Sequence, residues 1–511
     1  MPSSPGFVLP PPTDRVAPLL APTVWLEFTP LAAAVGAINL GQGAPSWPPP
    51  AFVTAAAVNA AQDAGIAQYA PPRGSRVLLD ALSDTYSPSL GAAVSGVATG
   101  VVGREHIVVT VGATQAVQLA LAAFVPPGGE VLLIDPAFDV YDGAVAMAGG
   151  VTRRVALRPV TGAGEYRLPA SSREFGLDMT EFRAALSPRT AVVILNTPHN
   201  PTGKVFTVDE LRAIAAAIDD VAPSAVVVAD EVYEHLTFDK DLPHTSFATV
   251  SSSAGARCVT VSSAGKTFSA TGWKVGWTIA PPPLSARIAA VQQYAVFSAA
   301  HPAQVAVAAA LRAAADPYEG HPTYYAAVAS DYRIKRDSLV ASLTDAGLSP
   351  VVPDGAFFVV ADGATVAVAG RPPSGGLHPA VAALSDAAGG RVSVAPGTEG
   401  RVDYQAARQL TLGGVAAIPL SAFGHAAPAA AAAGDGRGEE ASRLAGGGGA
   451  HEAAAEGAGG AAPPVPVRFA FCHPDGVLAE AGRRLAAGAA AGWSIEGGAW
   501  RKKASRGEGE A

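Results

Sequence analysis

The chain has 511 residues, enough for two or three domains with a large buried core, and its 49 % hydrophobic and 15 % charged residues describe a globular protein. A formal net charge of −8 argues against nucleic acid or an anionic membrane as the main partner. Apolar runs are short and broken by Gly, Pro or charge, so no transmembrane helix is expected.

The opening "MPSSPGFVLPPPTDRVAPLL" lacks a basic region followed by a long apolar core, which argues against a secretory signal. A mitochondrial or plastid leader stays open, with the cytoplasm as the default. The two cysteines, Cys258 and Cys472, cannot build a disulfide framework and point mildly to a reducing compartment.

Five apolar, β-branched runs follow in chain order and read as buried parallel strands: "HIVVT" (106–110), "EVLLID" (130–135), "AVVILN" (191–196), "AVVVAD" (225–230) and "RCVTVSS" (257–263). Helical segments lie between them, "TQAVQLALAAF" (114–124) and "VDELRAIAAAIDD" (208–220) among others. Strand alternating with helix predicts right-handed crossovers and a doubly wound sheet over 51–310. Beyond 311 the pattern loosens into an α+β arrangement: a helix at "YRIKRDSLVASLTDAGL", a strand at "GAFFVV", and strand then helix in "RFAFCHPDGVLAEAGRRLAAG". Residues 425–465, rich in Ala and Gly, have too few bulky side chains to offset their ordering entropy and are expected to be a disordered insertion. The final "RKKASRGEGEA" reads as a frayed tail.

In an open parallel sheet, ligands bind outside the carboxyl ends of the strands. There the chain places an anion-favouring helix start at Gly112, Ala113 and Thr114, then Phe138, Asn200, Asp230 with Tyr233, and Ser263 with Lys266. Any one of these has an ordinary reading as a cap, a turn or a core residue. Together, on successive strand ends, they resist that reading. "GKT" at Lys266 suggests a phosphate loop of an NTPase, but that motif needs glycine at position 260, where Thr260 stands. His199, His235 and His301 show no metal-ligand spacing, and no metal is assigned.

The stretches "HNPTGK", "ADEVYEHL" and "SSAGKTFSATGWKVGW" resemble the fold-type I, pyridoxal-phosphate-dependent aminotransferases. "NLGQGAPSWPPPAF" and "DPAFDVYDGAVAMAGG" are most similar to their kynurenine (glutamine transaminase K, cysteine-conjugate β-lyase) and methionine aminotransferase branch. The resemblance runs from about Val24 to Gly424 and resumes at "VRFAFCHPDGVLAEAGRRLA". It implies a three-layer α/β fold, with 1–50 an N-terminal arm and small-domain segment, 51–310 the large cofactor-binding domain and 311–511 the small domain.

The resemblance further implies pyridoxal 5′-phosphate as cofactor and Lys266 as the lysine that joins its aldehyde and moves the substrate proton. Asp230 would face the pyridine nitrogen, Tyr233 and Asn200 the ring's phenolic oxygen, and Phe138 would stack on the ring. Ser263, Lys274 and the Gly112–Ala113–Thr114 turn would hold the phosphate, with Tyr69 reaching the phosphate of a second subunit in a homodimer with shared sites. Arg468 in "PVRFAF" would clamp the substrate α-carboxylate, with Gly43 beside it and Trp25 walling the side-chain pocket. The implied partners are an amino acid of aromatic or sulfur-containing type and a 2-oxo acid. β-Elimination from cysteine conjugates is the alternative on the same residues. A cofactor-sensing transcription factor is disfavoured, because only a short Pro-rich lead precedes Trp25 and the net charge is negative.

Overall fold

The computed structural model describes residues 9–160, 167–370, 377–386, 392–424, 463–496 and 499–500. Most of the expected insertion, 425–462, and the expected tail lie outside the described residues.

The main sheet has eight strands among the described residues: β1 (Ile107–Thr110), β2 (Glu130–Asp135), β3 (Val151–Pro159), β4 (Phe175–Leu177), β5 (Thr190–Asn196), β6 (Val226–Asp230), β7 (Cys258–Ser263) and β8 (Gly276–Ile279). Their spatial order is β1-β8-β7-β6-β5-β2-β3-β4. Strands β7, β6, β5, β2 and β3 pair in parallel; β8 runs antiparallel between β1 and β7, and β4 antiparallel on the far edge. All five expected strands are present within a residue or so. The sequence reading lacks β3, β4 and β8, and β1 therefore sits beside an antiparallel neighbour.

Both faces of the sheet are covered, which is why its strands are continuous apolar runs. Val131, Leu133, Val192 and Ile194 pack on one side with Val117 and Leu121 of α2 (Gly112–Phe124) and Val145 of α3 (Val140–Ala148). Leu132, Val193, Leu195 and Val227 pack on the other with Leu211 and Ile214 of α4 (Val208–Val221). The result is the three-layer α/β fold. Helix α4 is started by Thr207, whose hydroxyl accepts from the Glu210 N–H while Glu210 reaches back to the Thr207 N–H.

A second sheet of β9 (Ser349–Val351), β10 (Phe358–Asp362), β11 (Ile418–Pro419) and β12 (Pro466–Ala470) is antiparallel in the order β9-β10-β12-β11. Helices α5 (Tyr324–Asp345) and α7 (Asp475–Ala490) pack beside it, burying Leu339, Leu343, Leu478 and Leu485. The N-terminal arm joins this part. Helix α1 (Val24–Val35) lies on α6 (Val402–Leu412), and Ile38–Asn39 pairs with Val415–Ala416.

The stretch Ala17–Val35 is, contrary to the sequence reading, long and apolar enough to cross a membrane. In the fold it is divided between a single turn, Ala17–Leu20, and α1. Helix α1 carries Glu27, fully buried in a two-pronged ion pair with Arg408 of α6, with N–O distances of 2.6 and 3.2 Å. Val24, Phe28 and Leu31 are buried alongside.

Candidate active site

One cavity of about 450 Å³ opens at the carboxyl ends of β5, β6 and β7. Trp25, Gly43, Gly112, Ala113, Thr114, Phe138, Asn200, Asp230, Tyr233, Ser263, Lys266, Lys274 and Arg468 all line it. Of the residues singled out in the sequence, only Tyr69 does not. It is 84 % exposed, packed edge-on against Phe297 beside a second cavity that His301 lines.

The floor follows from the sheet register. Asn196 and Asp230 end adjacent strands as direct partners, and the Asn196 amide donates to the Asp230 carbonyl at 2.8 Å. The Asn196 side-chain oxygen accepts the Asn200 N–H at 2.7 Å, fixing the turn that presents Asn200. Asp230 is 5 % exposed, and burial raises its pKa. The Tyr141 phenol opposes that by donating to Asp230 Oδ2 at 2.7 Å. Tyr141, which the sequence reading does not identify, also meets the Phe138 ring edge-to-face at 5.7 Å. Tyr233 is buried against Phe357 and Phe358, and its phenol pKa is pushed well up by burial and then by Asp230.

β1 turns into α2 at Gly112, which takes φ +78°. A Cβ there would lie 3.1 Å from Lys274 Nζ, so glycine leaves free both the left-handed turn and the space before the lysine. Ser263 ends β7 and precedes the single turn Ala264–Thr267 that carries Lys266. Lys274 is held in the left-handed region at φ 54° and is exposed at the cavity rim.

Lys266 is half-buried, and its Nζ donates to the Gly43 carbonyl at 2.7 Å. A Cβ on Gly43 would come 2.6 Å from the Phe358 ring, so only glycine lets this backbone approach. Burial lowers the Lys266 pKa to about 8, with the nearby Arg468 and Lys274 charges adding to the shift.

Arg468 stands in the middle of β12, paired with Val360 of β10 and Ile418 of β11. It is 1 % exposed, and its guanidinium carbon lies 4.3 Å from the Phe358 ring centroid and 4.4 Å from that of Phe423. It donates to the Gly41 carbonyl and, at 3.1 Å, to Asn200 Oδ1, and its Nε has no partner. Burial lowers its pKa to about 10, so it stays charged at neutral pH. Trp25 closes the side, its indole N–H donating to Asp139 Oδ2 at 2.7 Å.

Lys266, Lys274 and Arg468 thus share a cavity, and none forms an ion pair among the described residues. Cations left unpaired in a partly dry site are poised for anionic ligands.

The family model for aminotransferase class I and II matches residues 35–426. The chain is 41 % identical over 351 residues to a kynurenine–oxoglutarate transaminase of Dictyostelium discoideum, covering 68 % of this chain and 78 % of that protein. The chain is a class I and II aminotransferase. This aminotransferase is also 38 % identical over 346 residues to the methionine aminotransferase of Escherichia coli K12, covering 68 % of this chain and 81 % of that one. The crystal structure of YbdL from Escherichia coli, described by its methionine aminotransferase function, superposes with a TM-score of 0.68 at 30 % identity, covering 94 % of this chain and all of that one. As a member of the family, the aminotransferase depends on pyridoxal phosphate and exchanges amino groups between amino acids and 2-oxo acids.

Proposed function

We propose that this aminotransferase takes its amino group from an aromatic or sulfur-containing amino acid, of kynurenine, glutamine, methionine or phenylalanine type, and passes it to a 2-oxo acid. The reading is carried by three unpaired cations and the buried Asp230 carboxylate lining one cavity. The similarity to kynurenine–oxoglutarate and methionine transaminases supplies the substrate class.

The residues fit pyridoxal phosphate. A helix N-terminus opened by Gly112, facing the unpaired Lys274, suits a phosphate, with Ala113, Thr114 and Ser263 beside it. Asp230, whose ionised form burial disfavours and the Tyr141 hydrogen bond favours, suits a protonated pyridine nitrogen that would hold it as the carboxylate. Tyr233 and Asn200 suit the phenolic oxygen, and Phe138 a face of the ring. When bound, the cofactor supplies an electron sink for the substrate α-carbon.

The protein does the rest. Arg468, its Nε unpartnered, holds the α-carboxylate, and Gly43 brings backbone alongside. With its pKa near 8, Lys266 is neutral often enough to attack an aldehyde and afterwards carry a proton at Nζ. The Gly43 carbonyl holds that nitrogen by its hydrogen, leaving the lone pair free. Phe358, Phe423 and Trp25 keep water from the arginine.

We assign the cofactor-binding part to 51–310 and the remainder, with the arm, to the small domain. We infer a homodimer in which exposed Tyr69 reaches the partner's phosphate site; the partly exposed ring of Phe297, packed edge-on against Tyr69, supports it. Buried, unpaired Cys258 and Cys472 support a reducing compartment, and we assign the cytoplasm.

The test is a panel of amino acids added singly to the cofactor-loaded protein, following conversion of pyridoxal phosphate to its aminated form. Kynurenine, methionine, glutamine or phenylalanine should convert it; a protein converted by none of them refutes the reading. Release of pyruvate and ammonia from a cysteine conjugate without an acceptor would mark the β-lyase alternative, which the similar proteins do not favour.

A further inference from the structure

The cavity holds a second carboxylate that transamination itself does not require. Asp139 follows Phe138 at the entry to α3, half-buried in the cavity wall. Its Oδ2 accepts the Trp25 indole N–H, and its Oδ1 is buried without a partner. It forms no ion pair among the described residues. Burial pushes its pKa up, while the Trp25 hydrogen bond and the nearby Arg468 charge favour the ionised form.

We propose that Asp139 determines specificity in the side-chain pocket, turning away substrates with a second carboxylate and favouring uncharged side chains, above all those with an N–H donor. The proposal rests on the function read above. With the α-carboxylate on Arg468 and the reacting amino group at Lys266, the side chain is left to the wall formed by Trp25, and Asp139 is bonded to that wall. A second substrate carboxylate would meet only acceptor oxygens there, Oδ1 buried without a donor and Oδ2 already taken by the Trp25 N–H, with no cation among the described residues of that wall to pair it. In a partly dry cavity such an approach costs about tenfold or more in affinity. A side-chain amide would instead donate to the carboxylate.

Glutamine and glutamate separate these effects, because they match in shape and differ in charge. Half-reactions of the cofactor-loaded, full-length protein with each amino acid give the selectivity directly. Wild type should favour glutamine by about tenfold or more. Asp139→Asn keeps an oxygen for the Trp25 N–H and exchanges the other for an N–H donor. It should raise the efficiency with glutamate about tenfold relative to that with methionine. Equal losses for all three amino acids would assign Asp139 only to holding Trp25 and overturn the proposal; so would a wild type that prefers glutamate. Competition by glutarate and by its mono-amide against methionine needs no variant, and tighter binding of glutarate to wild type would also overturn it. If wild type converts none of methionine, glutamine and kynurenine, the function reading falls and takes the proposal with it. If methionine reacts but the glutamine-to-glutamate ratio does not move in Asp139→Asn, the proposal alone falls.

Discussion

The Tyr141 phenol donates a 2.7 Å hydrogen bond to Asp230 Oδ2, and both residues are almost entirely buried. A carboxylate in that setting resists ionisation, and the phenol is the hydrogen bond that opposes this most. Tyr141→Phe keeps the packing and the edge contact to Phe138 but removes the donor. It should weaken pyridoxal phosphate binding by about tenfold, the worth of a hydrogen bond to a charged group. Dissociation constants measured by the visible absorption of bound cofactor check this, and unchanged affinity would remove Tyr141 from the site.

The Lys266 pKa of about 8 sets a pH dependence with a definite sign. Only the neutral amine attacks an aldehyde, and its fraction rises with pH until it levels off above the pKa. Capture of pyridoxal phosphate by the apoprotein should therefore quicken from pH 6 with its midpoint near pH 8 and level off about one unit higher, rather than with a midpoint at an unperturbed lysine's pKa of ~10.4. Stopped-flow absorbance gives the profile. Lys266→Ala should abolish both turnover and covalent capture without unfolding the chain.

Arg468→Lys retains the charge but not the planar fork. The efficiency kcat/KM for any amino donor should fall about 10²-fold or more, mostly through KM, with cofactor affinity within about threefold of wild type. A parallel loss of cofactor affinity would place the arginine in a different role.

The proposed sharing of active sites between two subunits is open to a complementation test. Tyr69→Ala and Lys266→Ala homodimers should each be impaired. Mixing and refolding the two gives hybrids in which one site carries both changes and the other neither, so activity should return to a sizeable fraction of wild type. No recovery, with hybrids present by native mass spectrometry, counts against Tyr69 acting across an interface.

The Glu27–Arg408 pair ties the arm to the small sheet region with both partners buried. Glu27→Ala leaves a guanidinium in the core without its counter-charge, and stability should drop by about 3–5 kcal/mol. Denaturant unfolding reads the change.

Strand ends are legible in this sequence because buried parallel strands are unbroken β-branched runs, and the polar residues directly after them have one place to go. Arg468 is legible by its resemblance to a family motif, and the structure shows how the chain holds it, between β10 and β11. Tyr141 and Asp139 are not legible. Their importance lies in hydrogen bonds to Asp230 and Trp25, 89 and 114 positions away in the chain, and an isolated Tyr or Asp at a helix start carries no sign of such a partner. Strand β8 is hidden for another reason: "GWTI" is short and follows directly on the lysine motif, so it reads as part of that loop. Strands β3 and β4 lie at the exposed edge, where Arg153, Arg154 and Arg158 interrupt the apolar pattern that marks the inner strands.

Strands β11 and β12 lie side by side, Pro419 against Val467, and the Phe423 carbonyl accepts the Ala137 N–H before the chain departs at Gly424. The points of exit and return are therefore fixed by the fold itself, whatever joins them. Closing a connection of n residues costs free energy only as the logarithm of n, so the joining peptide can lengthen or shorten at little thermodynamic penalty. For an engineer, this is a natural socket: an affinity handle or reporter peptide spliced there should leave the arginine two positions past Pro466 where it stands.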